Sequence, residues 1–213
     1  GTVNYIFVSG RYAYLLINNN ANTCSSTVNT GCELQIYDIS NPSNPLYAGG
    51  ANLGVAGSGI FISGKYSYIS QNFLADNEFT IYDISNPANP VLAGALNLPN
   101  SVNSVFISGR YAYLGVQDST FRIYDISNPY SPTLAASVSV SSAVDSVFIS
   151  GRYAYLGKLN ISGACNSLTS TGCELEVYDV SNPANPVYAG GADNGGSTVE
   201  TGAMFISGRY LYM

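Results

Sequence analysis

The chain has 213 residues and a formal net charge of −6, and only 9% of its residues are charged. The negative charge argues against a nucleic-acid partner or an anionic membrane surface, and no apolar run is long enough for a membrane span. Hydrophobic residues make up 46% of the chain, which favours a folded domain over disorder. Histidine is absent, which excludes Ser-His and Cys-His catalytic arrangements.

Two short motifs alternate along the chain. The first joins two apolar runs through Ser-Gly and occurs at 7–15, 61–69, 106–114, 148–156 and 205–213. The second ends in Asn-Pro-x-x-Pro or a close variant and occurs at 36–45, 81–90, 123–132 and 177–186. Their alternation gives four full repeats and the first part of a fifth. Repeats of this length indicate a propeller, a solenoid or another array.

Each repeat predicts four strands, A to D. The Ser-Gly pair predicts a tight hairpin between strands A and B, because its turn needs a glycine at positive φ. A third run such as 121–126 predicts strand C, and a fourth such as 91–95 predicts strand D. The Asn-Pro-x-x-Pro segment between them predicts a turn, since proline cannot donate to a central ladder. We therefore expect an all-β propeller of four-stranded blades, with about four and a half blades present.

The repeats divide a single propeller domain at about 1–52, 53–100, 101–141, 142–194 and 195–213, the last one partial. The first and fourth repeats share a cysteine-containing insertion and a similar downstream segment, which indicates that a three-blade unit was duplicated. Two such units predict a six-bladed ring. We therefore expect either that more of the same polypeptide completes the ring or that a neighbouring copy covers its ends.

A resemblance to a known family follows from the two motifs. Phe-Ile-Ser-Gly-Arg-Tyr-Ala-Tyr-Leu at 106–114, followed by Ile-Tyr-Asp-Ile-Ser-Asn-Pro at 123–129, resembles the LVIVD repeat of bacterial and archaeal propeller proteins. The resemblance covers essentially the whole chain. It implies a propeller from a secreted or surface-attached protein and offers no catalytic residue to transfer. The cysteine insertions are additional to the repeat.

The four cysteines occur as two pairs with equal spacing and matching contexts. We expect the disulfides Cys24–Cys32 and Cys165–Cys173, each closing a short loop and contributing about 2–3 kcal/mol by the chain-entropy argument. Zinc is the alternative, although the usual spacing of zinc ligands is missing. Disulfides imply an oxidising compartment, so we expect an extracellular or cell-surface protein.

Two repeat positions carry opposite charges. A basic residue follows the hairpin glycine, and an aspartate ends strand C. Because strands B and C are antiparallel, we expect the two charges to lie close together, where each pair sets register and contributes under about 1 kcal/mol. The aspartate can also accept hydrogen bonds from the backbone of the following turn. The predicted pairs are Arg11–Asp38, Lys65–Asp83, Arg110–Asp125 and Arg152–Asp179.

The loops that vary between repeats lie at the opposite end of the strands. Between strands B and C we expect them at 16–32, 70–78, 115–120 and 157–173. Between blades we expect them at 49–58, 94–103, 136–145 and 190–202. They carry most of the remaining acidic residues, which we expect to be solvated, with a calcium site as the alternative and no other cofactor. Asn160 begins an Asn-Ile-Ser sequon and is a candidate glycosylation site.

These observations favour a non-catalytic extracellular structural or adhesive protein. It would bind protein partners or itself, as a subunit of a surface assembly or filament. One alternative is a ligand-binding propeller that takes a glycan or a protein on the variable loop face. Another is a carboxylate-dependent hydrolase, because two carboxylates are enough for glycoside hydrolysis.

Overall fold

A computed structural model of the chain describes residues 1–18, 24–25, 27–72, 76–158, 165–166, 168–169, 172–193 and 204–212. These residues form strands, turns and irregular segments, and no helix occurs among them. It follows that this part of the chain contains no helix able to cross a bilayer.

The strands follow the predicted repeats. In chain order they are β1 (Thr2–Ser9), β2 (Tyr12–Asn18), β3 (Leu34–Asp38), β4 (Leu46–Ala51), β5 (Gly57–Ser63), β6 (Tyr66–Gln71), β7 (Phe79–Asp83), β8 (Val91–Leu96), β9 (Val102–Ser108), β10 (Tyr111–Val116), β11 (Thr120–Asp125), β12 (Thr133–Ser139), β13 (Val144–Ser150), β14 (Tyr153–Lys158), β15 (Leu175–Asp179), β16 (Val187–Ala192), β17 (Phe205–Ser207) and β18 (Tyr210–Tyr212).

The strands assemble into four antiparallel sheets of four strands and one two-stranded hairpin, β17–β18. Within each sheet the spatial order is the chain order, so each of the first four repeats forms one blade-like sheet with strands A to D side by side. This confirms the predicted all-β class, the four-stranded blades and the number of about four and a half. The six-bladed ring stays a prediction.

The predicted hairpin turns are present in all five repeats. Their glycines have φ between 57° and 60°, a backbone conformation that side chains with a Cβ atom rarely adopt. The residues concerned are Gly10, Gly64, Gly109, Gly151 and Gly208. The short Ser-Gly turn therefore fixes the register of strands A and B in each repeat.

The predicted variable loops are longer than the observed ones, because the flanking strands extend into the predicted ranges. The loop predicted at 115–120 is reduced to 117–119, because β10 and β11 pair as far as Val116 and Thr120. The loop predicted at 136–145 is likewise reduced to 140–143. Small and polar residues at the strand ends obscured the alternation, whereas the backbone ladder continues through them.

The chain divides into two compact units. One consists of 1–102 and 129–131, and the other of 103–128 and 132–213. In the first unit, Tyr14 of the first sheet shares a core with Ile60 and Ile62 of the second sheet. Burial of such side chains between sheets contributes about 1.5–3 kcal/mol each.

The second unit is built in the same way. Phe121 and Ile123 of the third sheet share a core with Val147 and Ile149 of the fourth sheet. In both units, therefore, apolar residues of the later sheet's A strand pack in a core shared with the sheet before it.

Candidate functional site

All four predicted charge pairs form at the turn end of the sheets. Lys65 Nζ lies 2.9 Å from Asp83 Oδ2. The arginines make equally direct ion pairs with their aspartates: Arg11–Asp38, Arg110–Asp125 and Arg152–Asp179. The basic side chains are exposed and the aspartates are largely buried, so each pair shields one carboxylate.

The aspartates also hold the turn that follows strand C. In each of the four sheets the second carboxylate oxygen accepts a hydrogen bond of 2.9 Å from the backbone N–H of the serine two residues on. At Asp83 the hydrogen bonds from Ser85 and from Lys65 lower the pKa of the carboxyl to about 2. With both oxygens engaged, this repeated carboxylate has a structural role.

The basic residues make a second contact with their own neighbours. Each lies over the ring of the tyrosine that follows it, at 5.0–5.5 Å from the ring centroid. Such cation–π contacts contribute about 0.5–1 kcal/mol at exposed sites. The Arg-Tyr or Lys-Tyr pair that recurs in each repeat is thus explained by packing at the turn.

Both predicted disulfides are present, with Cα–Cα distances of 4.4 Å for Cys24–Cys32 and 4.3 Å for Cys165–Cys173. Since all four cysteines are bridged, the zinc alternative is wrong. The bridges suggest an oxidising, secreted environment.

Each disulfide lies against a tyrosine and a glycine of strand D. The Tyr47 hydroxyl donates to the Ser25 carbonyl at 3.0 Å and lies 3.5 Å from Cys32 Sγ. A Cβ atom on Gly50 would lie 2.8 Å from that hydroxyl and 3.0 Å from Cys32 Cβ. The fourth sheet has the same arrangement, with Tyr188 and Gly191. The two cysteine-containing repeats therefore need the tyrosine and the second glycine of their Tyr-Ala-Gly-Gly segment.

The expectation that the remaining acidic residues are solvated is wrong for four glutamates. Glu33, Glu78, Glu174 and Glu176 are at most 2% exposed. Glu33 Oε2 accepts the backbone N–H of Leu53 at 2.9 Å, and Glu78 Oε2 accepts that of Leu98 at 2.6 Å. Burial raises the pKa of Glu33. Glu33 and Glu78 therefore hold the segment that leads from strand D to the next sheet.

A repeat signal for these glutamates was available in the sequence. Glu33, Glu78 and Glu174 all stand four residues before the tyrosine of the Tyr-Asp pair. Their equivalent in the third sheet is Thr120. A polar residue fixed at one repeat position is more typical of a structural contact than of a variable loop.

The fourth sheet contains a fully buried ion pair that the sequence analysis missed. Lys158 Nζ contacts Glu176 Oε1, and neither side chain is exposed. Lys158 also donates to Ser141 Oγ, and the Tyr178 hydroxyl donates to Glu176 Oε2 at 3.1 Å. Burial, with Glu176 nearby, raises the pKa of Tyr178.

The second sheet has a neutral counterpart of this pair. Thr80 Oγ1 donates to Gln71 Oε1 at 3.0 Å, and Gln71 Nε2 donates to the Leu53 carbonyl at 3.0 Å. In both sheets, therefore, the end of strand B binds strand C and the segment arriving from the preceding sheet. The role of Lys158 and Glu176 is accordingly to join sheets.

Other predicted sites have separate outcomes. Asn160 lies outside the described residues. In the described ranges, no three Asp, Glu or Cys side chains group together as a metal site would require. The calcium and hydrolase alternatives stay predictions.

The comparison with protein families decides the family. The LVIVD repeat matches at 28–52, 55–97, 99–140 and 171–193, which together cover more than half of the chain. The chain belongs to the LVIVD-repeat family. The matches at 55–97 and 99–140 each span one four-stranded sheet, and the other two cover strands C and D of the first and fourth sheets.

Solved structures share the fold of this LVIVD-repeat protein at low sequence identity. A functionally unknown protein from Desulfotomaculum acetoxidans has a TM-score of 0.64 and 12% identity, over 88% of this chain and 55% of its own. The computationally designed Ika8 protein has a TM-score of 0.61 and 12% identity, over 98% of this chain. The LVIVD-repeat chain spans 54% of the length of Ika8. The designed Ika4 protein has a TM-score of 0.53 and 11% identity, over 74% of this chain and 85% of its own. No curated protein sequence matches.

Proposed function

We propose that this protein is a non-catalytic extracellular structural or adhesive protein that acts as a subunit of a surface assembly. The apolar outer face of β1 carries the proposal. Val3, Ile6 and Val8 share this face, because the bulge between Val3 and Tyr5 shifts the register, and they are 55–63% exposed. A face of this kind is a common feature of protein interaction sites.

The equivalents of Ile6 and Val8 in the second sheet are Ile60 and Ile62, which are only 9% and 6% exposed. They are buried in a core that they share with Tyr14 and other apolar residues of the first sheet. The same strand positions are buried in the third and fourth sheets. The β1 face therefore has the composition of a surface that another LVIVD sheet covers.

The hairpin β17–β18 carries the complementary surface. Tyr212 on β18 is 57% exposed, whereas its equivalents Tyr14, Tyr68 and Tyr113 are 4–5% exposed. We infer that Tyr212 of one copy packs on Ile6 and Val8 of a second copy. That contact would reproduce the core that Tyr14 shares with Ile60 and Ile62.

The expected strength of this association is modest. Full burial contributes about 1.5–3 kcal/mol per side chain, and these side chains are already partly buried. The gain must exceed an association cost of about 4–15 kcal/mol. We therefore expect association that depends on protein concentration.

The chemistry of the repeats supports a structural role. The repeated aspartates are engaged in ion pairs and turn contacts, and Glu33, Glu78 and Glu176 are buried in structural contacts. The two disulfides fit an exported protein.

Sedimentation velocity of the 213-residue protein over a range of concentrations tests the proposal. We expect concentration-dependent association that Ile6→Lys or Val8→Lys weakens. Leu134→Lys on β12 is the matched control, because Leu134 is 56% exposed on another sheet. A monomer at every concentration would contradict the proposal, and so would equal association of the β1 variants and the control.

A further inference from the structure

A shallow groove of roughly 270 Å³ lies in the first unit, beside β8. Val91 and Leu92 of β8 form its apolar side, and Asn86 and Asn89 of the preceding turn form its polar side. Tyr130 of the following turn lines it as well. This size is at the small end of ligand pockets and suits a single ring.

Tyr130 is unusual for its repeat position. The equivalent residues are Ser43, Ala88 and Ala184, so the turn itself does not need an aromatic ring. Tyr130 is nevertheless 63% exposed, which means that its ring adds little to the core. An aromatic side chain kept at the surface beside a groove is a feature that ligand binding would explain.

The backbone of Tyr130 is held beside the groove. Interaction with Tyr66 raises the pKa of Tyr130. Its backbone is packed against β8, because a Cβ atom on Gly94 would lie 3.3 Å from Tyr130 Cα. The packed backbone therefore positions Tyr130 beside the groove, where its exposed ring can serve as a platform.

The polar side of the groove offers neutral hydrogen-bonding groups. Asn86 Oδ1 accepts the Ala88 N–H at 3.2 Å, which leaves the Asn86 side-chain NH₂ as a donor. An asparagine side chain both donates and accepts hydrogen bonds, so Asn89 can donate to a ligand hydroxyl or accept from it. Asp83 also lines the groove, and its charge is balanced by Lys65 at 2.9 Å.

We propose that this groove binds one ring of a neutral sugar, which stacks on Tyr130 while its hydroxyls bind Asn86 and Asn89. The aromatic platform contacts the apolar face of a sugar ring, and the side-chain amides suit its hydroxyls. A charged ligand would find no unbalanced charge among these residues. This proposal goes beyond the assembly role and uses a different surface, so each can fail without the other.

NMR titration of the ¹⁵N-labelled protein tests the proposal. The probes are glucose, galactose, mannose and N-acetylglucosamine with their hexasaccharides, and a polyproline peptide is the competing probe. We expect a sugar to shift the side-chain NH₂ signals of Asn86 and Asn89. Tyr130→Ala should weaken that binding about ten-fold. Tyr130→Phe, which keeps the ring, should retain most of it.

The Tyr130→Ala variant should fold normally, because Ala88 and Ala184 occupy the same repeat position. The proposal is overturned if no sugar shifts these signals, if Tyr130→Ala binds as well as the wild type, or if only the peptide binds.

A gain of function provides a second test. The first sheet already has Asn41 and Asn44 at the positions of Asn86 and Asn89, and Tyr12 at that of Tyr66. Ala88→Tyr would supply the missing platform beside β4. We expect this variant to bind two sugar rings per chain, whereas one ring per chain would contradict the assigned role of the tyrosine.

Discussion

Gly49 on β4 lies so close to Ala88 in the turn of the next sheet that a Cβ atom on Gly49 would be 2.7 Å from Ala88 Cα. The same glycine position on β8, Gly94, lies against Pro129 and Tyr130. The Asn-Pro-x-x-Pro turn of one sheet therefore packs on a glycine of the sheet before it.

We expect Gly49→Ala to lower the free energy of unfolding by about 1–3 kcal/mol, because the new methyl group must displace backbone atoms. Equilibrium urea unfolding measures the change. Gly190→Ala is the matched control, since it has the same repeat position and a Cβ atom there meets nothing within 4 Å. Equal effects of the two substitutions would show that the close packing is unimportant.

The aspartate pairs predict a loss of stability in acid. Because the native pKa of Asp83 is lowered to about 2 from the ordinary 3.8, ionised Asp83 stabilises the fold above pH 4. This contribution is lost as the pH falls from about 4 to 2. We expect Asp83→Asn to reduce the dependence of unfolding free energy on pH in this range.

Lys65→Gln separates the two partners of Asp83. It removes the ion pair and keeps the hydrogen bond from Ser85, so part of the pH dependence should remain. Unfolding curves at pH values between 2 and 5 provide the measurement. An unchanged slope in Asp83→Asn would argue against the lowered pKa.

The buried ion pair predicts strong coupling between its partners. Lys158→Met should cost about 3–5 kcal/mol, because it leaves the Glu176 carboxylate buried without its cation. The double variant Lys158→Gln/Glu176→Thr imports the Gln71–Thr80 pair of the second sheet. We expect its stability to be close to that of the wild type. A double variant as unstable as Lys158→Met would refute the coupling.

Removal of one disulfide should have a moderate effect. Cys24→Ser/Cys32→Ser should lower the free energy of unfolding by about 2–3 kcal/mol, because the short loop gains freedom in the unfolded chain. Thermal unfolding with and without reductant measures it. Reductant should destabilise this variant less than the wild type, since only Cys165–Cys173 remains to be reduced.

The repeats by themselves determined the strands, the hairpin turns, the cysteine pairs and the charge pairs. Each of these depends on residues close in sequence or on pairing between consecutive strands, where the register follows from a short turn. Gly109, Arg110 and Asp125 are examples, because the turn fixes where their strands meet. The two-residue period of the strands was therefore enough to place them.

Only the tertiary structure decided which polar residues are buried. Glu78 reaches Leu98, and Lys158 reaches Ser141, across segments whose position depends on how sheets pack. The repeat position of Glu78 is typical of a structural contact, but no local pattern specifies the backbone N–H that it binds. The same holds for Gly49. A side chain at this position is excluded by a turn about forty residues away, in the next repeat. Contacts between sheets are set by packing of whole surfaces, which local periodicity does not encode.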